Sequence, residues 1–253
     1  MATRTRPEGT PAEQTPAEGT PARPRGRTRR LGNALIALGV CVLLYAGLIL
    51  AWGDPVTWLW AHWQQRALTS EFHRQQRQFI VTTPPADSAA AKTLVRNDAI
   101  AFSKSLKEGH AFGRLTIARI GLSKVVVVQG TTAGIDADLS KGPGHYMNTP
   151  FPGLGGSVAI AGHRTTFGAW FRHIDEIRDG DFIDLEMPYA TFHYKVEMHK
   201  VVLNNDWRII RPQGYERLVL SACHPIYSAS HRYIIFARAI SVTLPGAGGS
   251  YRL

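Results

Sequence analysis

Apolar and polar positions alternate along this chain in three textures. From Leu31 to Trp52 there is no charged residue, and 22 residues at helical rise cover roughly 30 Å, the thickness of a hydrocarbon core, so the pattern predicts a membrane-spanning helix. Asp54-Pro55 has the form of a helix start, predicting a helix to about Phe79; Pro84-Pro85 breaks the chain, and the stretch from Ser88 to Lys107, rich in alanine and lysine, predicts a second. From Phe112 onward short branched runs are divided by glycines, the texture of a compact all-β domain. Strands are expected over Arg114 to Ile120, Lys124 to Gln129, Ser157 to His163, Asp181 to Glu186, Thr191 to Val202, Arg217 to Cys223 and Arg232 to Val242. Between the third and fourth, Phe167, Trp170, Phe171, Ile174 and Ile177 recur at helical spacing, predicting a short helix over Thr166 to Ile177. Asp179-Gly180-Asp181 makes the turn that ends it.

Charge orients the first texture. Residues 1–30 hold seven arginines, three glutamates and five prolines, with Thr-Pro-Ala-Glu at Thr10 and again at Thr15, a composition unable to bury enough apolar area to fold, so a disordered tail is expected. Five of those arginines fall between Arg23 and Arg30, immediately ahead of the apolar run. The positive-inside rule then places the N-terminus in the cytoplasm and everything after Trp52 outside. A cleaved signal peptide is the competing reading, opposed by the length of the apolar run and by the lack of a clear Ala-x-Ala site at its end. Trp52, Trp58, Trp60 and Trp63 cluster at and past the end of the span, where amphipathic rings favour the membrane interface. The expected organisation is a tail over 1–30, a transmembrane helix over 31–53, a helical stalk over 54–111 that lifts the domain off the bilayer, and an extracellular domain over 112–253.

The candidate chemistry sits in the third texture. Leu218-Val219-Leu220-Ser221-Ala222-Cys223-His224-Pro225 is a strand-forming run that ends in a cysteine, and Pro225 forbids its continuation as a central strand. Alternation points Leu218, Leu220 and Ala222 to a core and Val219, Ser221 and Cys223 the other way, which sets the thiol beside a groove. A free thiol, with a pKa of roughly 8.5, needs a basic or cationic partner to react. Neighbouring His224 faces away on an extended chain, whereas Ser157-Val158-Ala159-Ile160-Ala161-Gly162-His163-Arg164 is a second strand with a histidine at its tip, and Arg232 opens the next strand. The other cysteine, Cys41, lies in the apolar span, so no disulfide forms within the outer domain.

In this order and with these strand contexts, His163, Cys223 and Arg232 resemble the catalytic histidine, cysteine and arginine of the sortases, membrane-anchored cysteine transpeptidases of Gram-positive cell surfaces. The resemblance covers roughly Gly113 to Val242. The nine-residue gap from Cys223 to Arg232, the Cys223-His224-Pro225 run and Gly142-Pro143-Gly144-His145-Tyr146 look most like the class E housekeeping branch of actinobacteria. Where the family usually has Thr-Leu-x-Thr-Cys, this chain reads Val219-Leu220-Ser221-Ala222-Cys223, without the hydroxyl beside the nucleophile.

That resemblance implies a mainly all-β fold, a closed eight-stranded barrel with short helices behind a single membrane helix and a helical stalk. It implies cleavage of a Leu-Ala-x-Thr-Gly-like C-terminal sorting signal between threonine and glycine, through a thioester on Cys223, and transfer of the secreted protein to a peptidoglycan precursor amine. The implied partners are thus secreted proteins carrying the signal, the wall amine, and the membrane through Leu31 to Trp52. Two other classes stay open on the residues alone: a thiol hydrolase that releases its product to water, and a non-catalytic wall-binding β-domain. A net charge of +10, of which +4 lies in residues 1–30, comes without any nucleic-acid-binding module, and neither nucleic acid nor a cofactor is expected. The ten histidines are scattered and one cysteine is available outside the span, so no metal site is expected.

Overall fold

A computed structural model describes residues 25–52, 54–134, 137–247 and 249–253, with backbone alone at 25–27 and 50–52. Two units are described separately, residues 1–47 and 48–253. The apolar run forms helix α1 (Arg25–Trp52), whose stretch Thr28–Ile49 is long and apolar enough to cross a membrane and contains no buried residue. The arginines from Arg25 to Arg30 belong to the first turns of α1, where a disordered tail was expected; the remainder of that tail lies outside the described residues.

Helix α2 (Pro55–Gln76) begins where Asp54 caps it, with Oδ1 accepting from Val56 N at 3.0 Å and Pro55 preset for the first turn. Helix α3 (Ser88–Ser105) is capped in the same way by Asp87, which accepts from Ala90 N at 2.8 Å. Both helices of the segment expected as a stalk lie against the barrel. Leu68 and Phe72 of α2 are buried with Ala111, Val126 and Val128, and the Gln65 amide replaces a missing strand partner, accepting from Val126 N at 2.7 Å and donating to Val126 O at 2.9 Å. Ala91, Val95, Ala99 and Phe102 of α3 enter the main core. Burial of Phe72 alone is worth about 2–3 kcal/mol; the helices are thus held by packing as well as by the chain that joins them.

Among the described residues nine strands complete the domain: β1 (Ala111–Ile117), β2 (Leu122–Gln129), β3 (Gly144–His145), β4 (Ser157–Gly162), β5 (Phe182–Glu186), β6 (Thr191–Leu203), β7 (Arg217–His224), β8 (His231–Thr243) and β9 (Ser250–Arg252). The order β6-β5-β1-β2-β3-β4-β7-β8 closes through pairing of β6 with β8, giving a closed eight-stranded barrel, and β9 pairs with the end of β8. Each of the seven expected strands is present within a few residues of its expected limits, and β3 and β9 are additional.

The helix expected over Thr166 to Ile177 does not form. Phe167, Gly168 and Ala169 have φ of 50°, 82° and 45°, left-handed values that a right-handed helix cannot contain, and the segment runs instead as successive turns into a 3-10 turn at Ile174–Glu176. The apolar spacing still does its packing: Phe171, Ile174 and Ile177 are buried in the main core.

Candidate active site

β7 separates two environments by simple alternation. Leu218, Leu220 and Ala222 join the barrel core, while Val219 packs on the outer face with Ala159, Val202, Ile234 and Phe236. The residue that stands where the family has threonine, Ala222, is therefore a core methyl, 3% exposed. Ser221 is buried on the outer face, within 3.3 Å of the Tyr146 hydroxyl, and Cys223 comes next on that face, half-buried at the end of the strand.

Strand register brings the three sequence-predicted residues to one rim. Cys223 and Arg232 are direct partners across antiparallel β7 and β8, so their side chains leave the same face of the sheet. β4 runs parallel to β7 with Gly162 beside Ala222, which carries the next residue, His163, alongside Cys223. Val202 of β6 lies opposite Arg232 on its other side. Next to it opens a hollow of about 510 Å3, lined by Val202, Leu203, Trp207, Arg208 and Arg211 among others. An outer face that is packed along most of its length thus opens, beyond Arg232, into a hollow that Cys223 and His163 do not themselves line.

The polar atoms here are sparsely partnered. His163 Nε2 is buried without a hydrogen-bond partner among the described residues, and desolvation lowers the imidazole pKa below its ordinary 6.5, favouring the neutral ring. The Arg232 Nη1 atom donates to the carbonyls of Ala229 and His231, both at 3.1 Å, a restraint that holds the side chain without neutralising it. His224 packs beside Tyr233, with ring centroids 5.7 Å apart.

Several residues that sequence reasoning passed over hold His163 in place. Arg164 is 5% exposed and folds back on its own loop, donating to Arg172 O at 3.0 and 2.9 Å and to Asp175 Oδ1 at 2.7 Å. Phe171 N donates to His163 O at 3.0 Å, and the Phe171 ring occupies the space a side chain at Gly162 would need, 2.5 Å from where its Cβ would stand. The Phe167 ring lies 5.6 Å from the His163 ring, and Phe167 N donates to Thr57 Oγ1 of α2 at 2.9 Å. A glycine directly before a strand-tip histidine was the available signal for this close approach; nothing local to the sequence marks Thr57.

A second histidine is equally telling by contrast. His145 in β3 is wholly buried, stacked on Phe112 at 4.0 Å, with Nδ1 2.8 Å from Gln129 Oε1 and Nε2 3.0 Å from Thr149 Oγ1. Burial drives its pKa to about 3. It is a neutral structural ring that fixes the turn bearing Tyr146, since Thr149 also donates to Tyr146 O at 2.8 Å.

Comparison with known proteins places this architecture. The sortase domain model matches residues 115–240. Sortase D of Bacillus subtilis (strain 168) is 35% identical over 137 residues, covering 53% of this chain and 66% of that protein. Among solved structures, the Sortase D5 transpeptidase of Clostridium perfringens superposes with a TM-score of 0.54 at 22% identity, covering 69% of this chain and 99% of that one. Sortase E from Streptomyces avermitilis is 33% identical, covering 56% of this chain and 96% of that one, with a TM-score of 0.49. The chain spans between 42% and 66% of the length of the curated relatives it matches. The curated relatives bear both D and E names, Sortase D at 35% identity and two E-named sortases of Streptomyces coelicolor at 25%, so the class E branch expected from the sequence is not singled out. With the closed barrel and the matched domain both in hand, the chain belongs to the sortases, the family of cysteine transpeptidases.

Proposed function

We propose that this protein is a membrane-anchored sortase that cleaves a C-terminal sorting signal and transfers the cleaved protein to an amine of a peptidoglycan precursor. The observation that carries this reading is the register at the barrel rim, with Cys223 paired to Arg232 and flanked by the strand that delivers His163. Cys223 gives its thiol proton to His163 as Sγ attacks the threonine carbonyl carbon of the signal; the bond to the glycine nitrogen then breaks as His163 passes that proton to the leaving amine. The thioester is then attacked by the incoming amine nitrogen, which gives up a proton to His163; the carbon–sulfur bond breaks and His163 returns that proton to the sulfur, which restores the Cys223 thiol. Arg232 carries a fixed positive charge and a planar fork of donors suited to the developing oxyanion or to the backbone of the bound peptide. The hollow beside Val202, one strand beyond Arg232, offers Val202, Leu203 and Trp207 to a peptide that extends past the reacting carbonyl, with Lys200, Arg211 and the Arg208–Asp206 pair around them.

The class E reading, with Leu-Ala-x-Thr-Gly as the signal, draws support from the nine-residue gap between Cys223 and Arg232, from Gly142 to Tyr146, and from the 33% identity to an E-type sortase. The arginines ahead of the span support a topology with the N-terminus in the cytoplasm and the barrel outside. Protease added to intact protoplasts then digests the barrel and spares the N-terminal tail; digestion of the tail contradicts this orientation. Turnover of a panel of sorting peptides, with and without an amine acceptor, tests the chemistry. Amine-dependent transfer from a Leu-Ala-x-Thr-Gly peptide is the expected result, cleavage by water alone identifies a thiol hydrolase, and no cleavage of any peptide leaves a wall-binding domain.

A further inference from the structure

Helix α2 has two unlike faces. One is committed to the barrel through Ala61, Gln65, Leu68 and Phe72. Over the first three turns the other is apolar and open: Val56 is 66% exposed, Leu59 66%, Trp60 36% and Trp63 61%, and around them lies a hollow of about 710 Å3 closed at one end by Arg66. Soluble surfaces seldom gather branched side chains and indoles into one patch unless something covers it.

The charge beyond this patch identifies the cover. Past Trp63 the exposed positions include Arg66, Arg74 and Arg77, none of which forms an ion pair among the described residues. The one acidic residue of α2, Glu71, is turned to His110 at 2.7 Å. An indole-rich patch continued by unpaired arginines matches the two layers of a bilayer surface, the acyl boundary that accepts amphipathic rings and the headgroup layer that carries negative charge. Chain continuity limits the distance: the apolar span ends at Trp52 and the patch begins at Val56, so the intervening residues reach no more than about 15 Å. A protein partner or a second copy of this chain would satisfy the indoles, but gives no reason for the uncompensated arginines beside them.

We propose that the exposed face of α2 is a membrane-docking surface, its Val56, Leu59, Trp60 and Trp63 set into the interface and its arginines among anionic headgroups. This rests on the reading of α1 as an anchor. The barrel is then mounted on the bilayer surface through α2, and because Thr57 of the same helix accepts from Phe167 N, the docked helix also borders the His163 loop.

The full chain, grown with 5-fluorotryptophan and assembled into nanodiscs of phosphatidylcholine and phosphatidylglycerol, tests this by fluorine NMR. Resonances are assigned by replacing one tryptophan at a time with phenylalanine, so a single variant that fails to fold loses one assignment only. A nitroxide-labelled lipid with its label near the headgroup is expected to broaden the Trp60 and Trp63 signals at least about twofold, as for rings seated roughly 5–10 Å into the headgroup boundary, while Trp207 on the barrel stays sharp. Leu43→Trp adds a reporter inside α1, read with a deep acyl-chain label. Broadening at that reporter without broadening at Trp60 and Trp63 overturns the docking surface and leaves the anchor standing; no broadening at any of them overturns both. Indoles that respond neither to lipid nor to aqueous iodide are covered by protein, and that result also overturns the proposal.

Discussion

The two ends of β7 treat their polar groups in opposite ways. At the start, Arg217 donates to Ser157 Oγ at 2.9 Å, to Ile209 O at 2.7 Å and to Arg211 O at 3.1 Å, and its guanidinium lies 4.7 Å from the centre of the Phe236 ring. Beside it the Glu216 carboxylate accepts from Gly153 N at 2.7 Å and from the Tyr194 hydroxyl at 3.2 Å, while its enclosure holds the carboxyl above the usual range. At the finish, Cys223 is half-buried, and buried nitrogens of His163 and His224 have no partner among the described residues. Burying a polar atom unpaired costs about 1–3 kcal/mol. The closed end commits its polar groups to holding the barrel shut, and the open end keeps them available to a substrate.

This division of labour can be upset at either end. The largest effect is expected from Arg232: if its fork holds the oxyanion, Arg232→Lys loses turnover on the order of a hundredfold, nearly as much as Arg232→Ala, because the charge persists while the paired donors do not. Near-normal turnover of the lysine variant in a steady-state peptide assay reduces the arginine to a point charge. At the closed end, Arg217→Ala leaves Ser157 Oγ and Ile209 O without their donor, Arg211 O keeping that of Ser157, and is expected to destabilise by about 2–4 kcal/mol in denaturant unfolding, with acylation per folded molecule falling less than about tenfold. A variant of undiminished stability but lost acylation inverts the assignment of the two ends.

His145 extends the contrast to a partnered and an unpartnered buried ring. The unfolded chain takes up a proton near 6.5 and the folded protein only near 3, so the stability this ring contributes is complete above about 6.5 and is lost as pH falls between those values. The slope is about 1.4 kcal/mol per pH unit, and His145→Asn is expected to flatten the pH dependence of unfolding between roughly pH 6.5 and 5. An unchanged slope refutes the assignment of a neutral His145. The smallest effect belongs to Thr57: removing its hydroxyl in Thr57→Val frees Phe167 N and is expected to lower kcat about fivefold, the equivalent of one hydrogen bond of about 1 kcal/mol, with little change in Tm. Thr57→Ser restores kcat; if it does not, the hydroxyl is not what holds the loop.

Much of this was legible in the chain because alternation is a local signal. Runs such as Leu218 to Cys223 carry their face assignment within themselves, and the same reasoning put reactive side chains at the tips of two neighbouring strands. β3 and β9, with two and three residues, are too short to alternate and arise from the strands they meet. The misread segment at Thr166 to Ile177 shows how spacing can mislead, since turns of three residues bury Phe171, Ile174 and Ile177 as well as a helix would. The packing of α2 and α3 on the barrel depends on partners distant in the chain, such as Val126, 61 residues on from Gln65, and no window of sequence contains both.

In the proposed reaction, a thioester on Cys223 is the step on which the rest depends. Mixing the protein with a Leu-Ala-x-Thr-Gly peptide, quenching in acid and measuring intact and fragment masses is expected to show the acyl portion, up to and including threonine, on Cys223. Added amine should discharge that adduct as the transfer product, and Cys223→Ala, which removes a small side chain at a strand tip, should keep the melting temperature within a few degrees and form no adduct. An acyl group on any other residue, or transfer that survives in Cys223→Ala, contradicts Cys223 as the nucleophile.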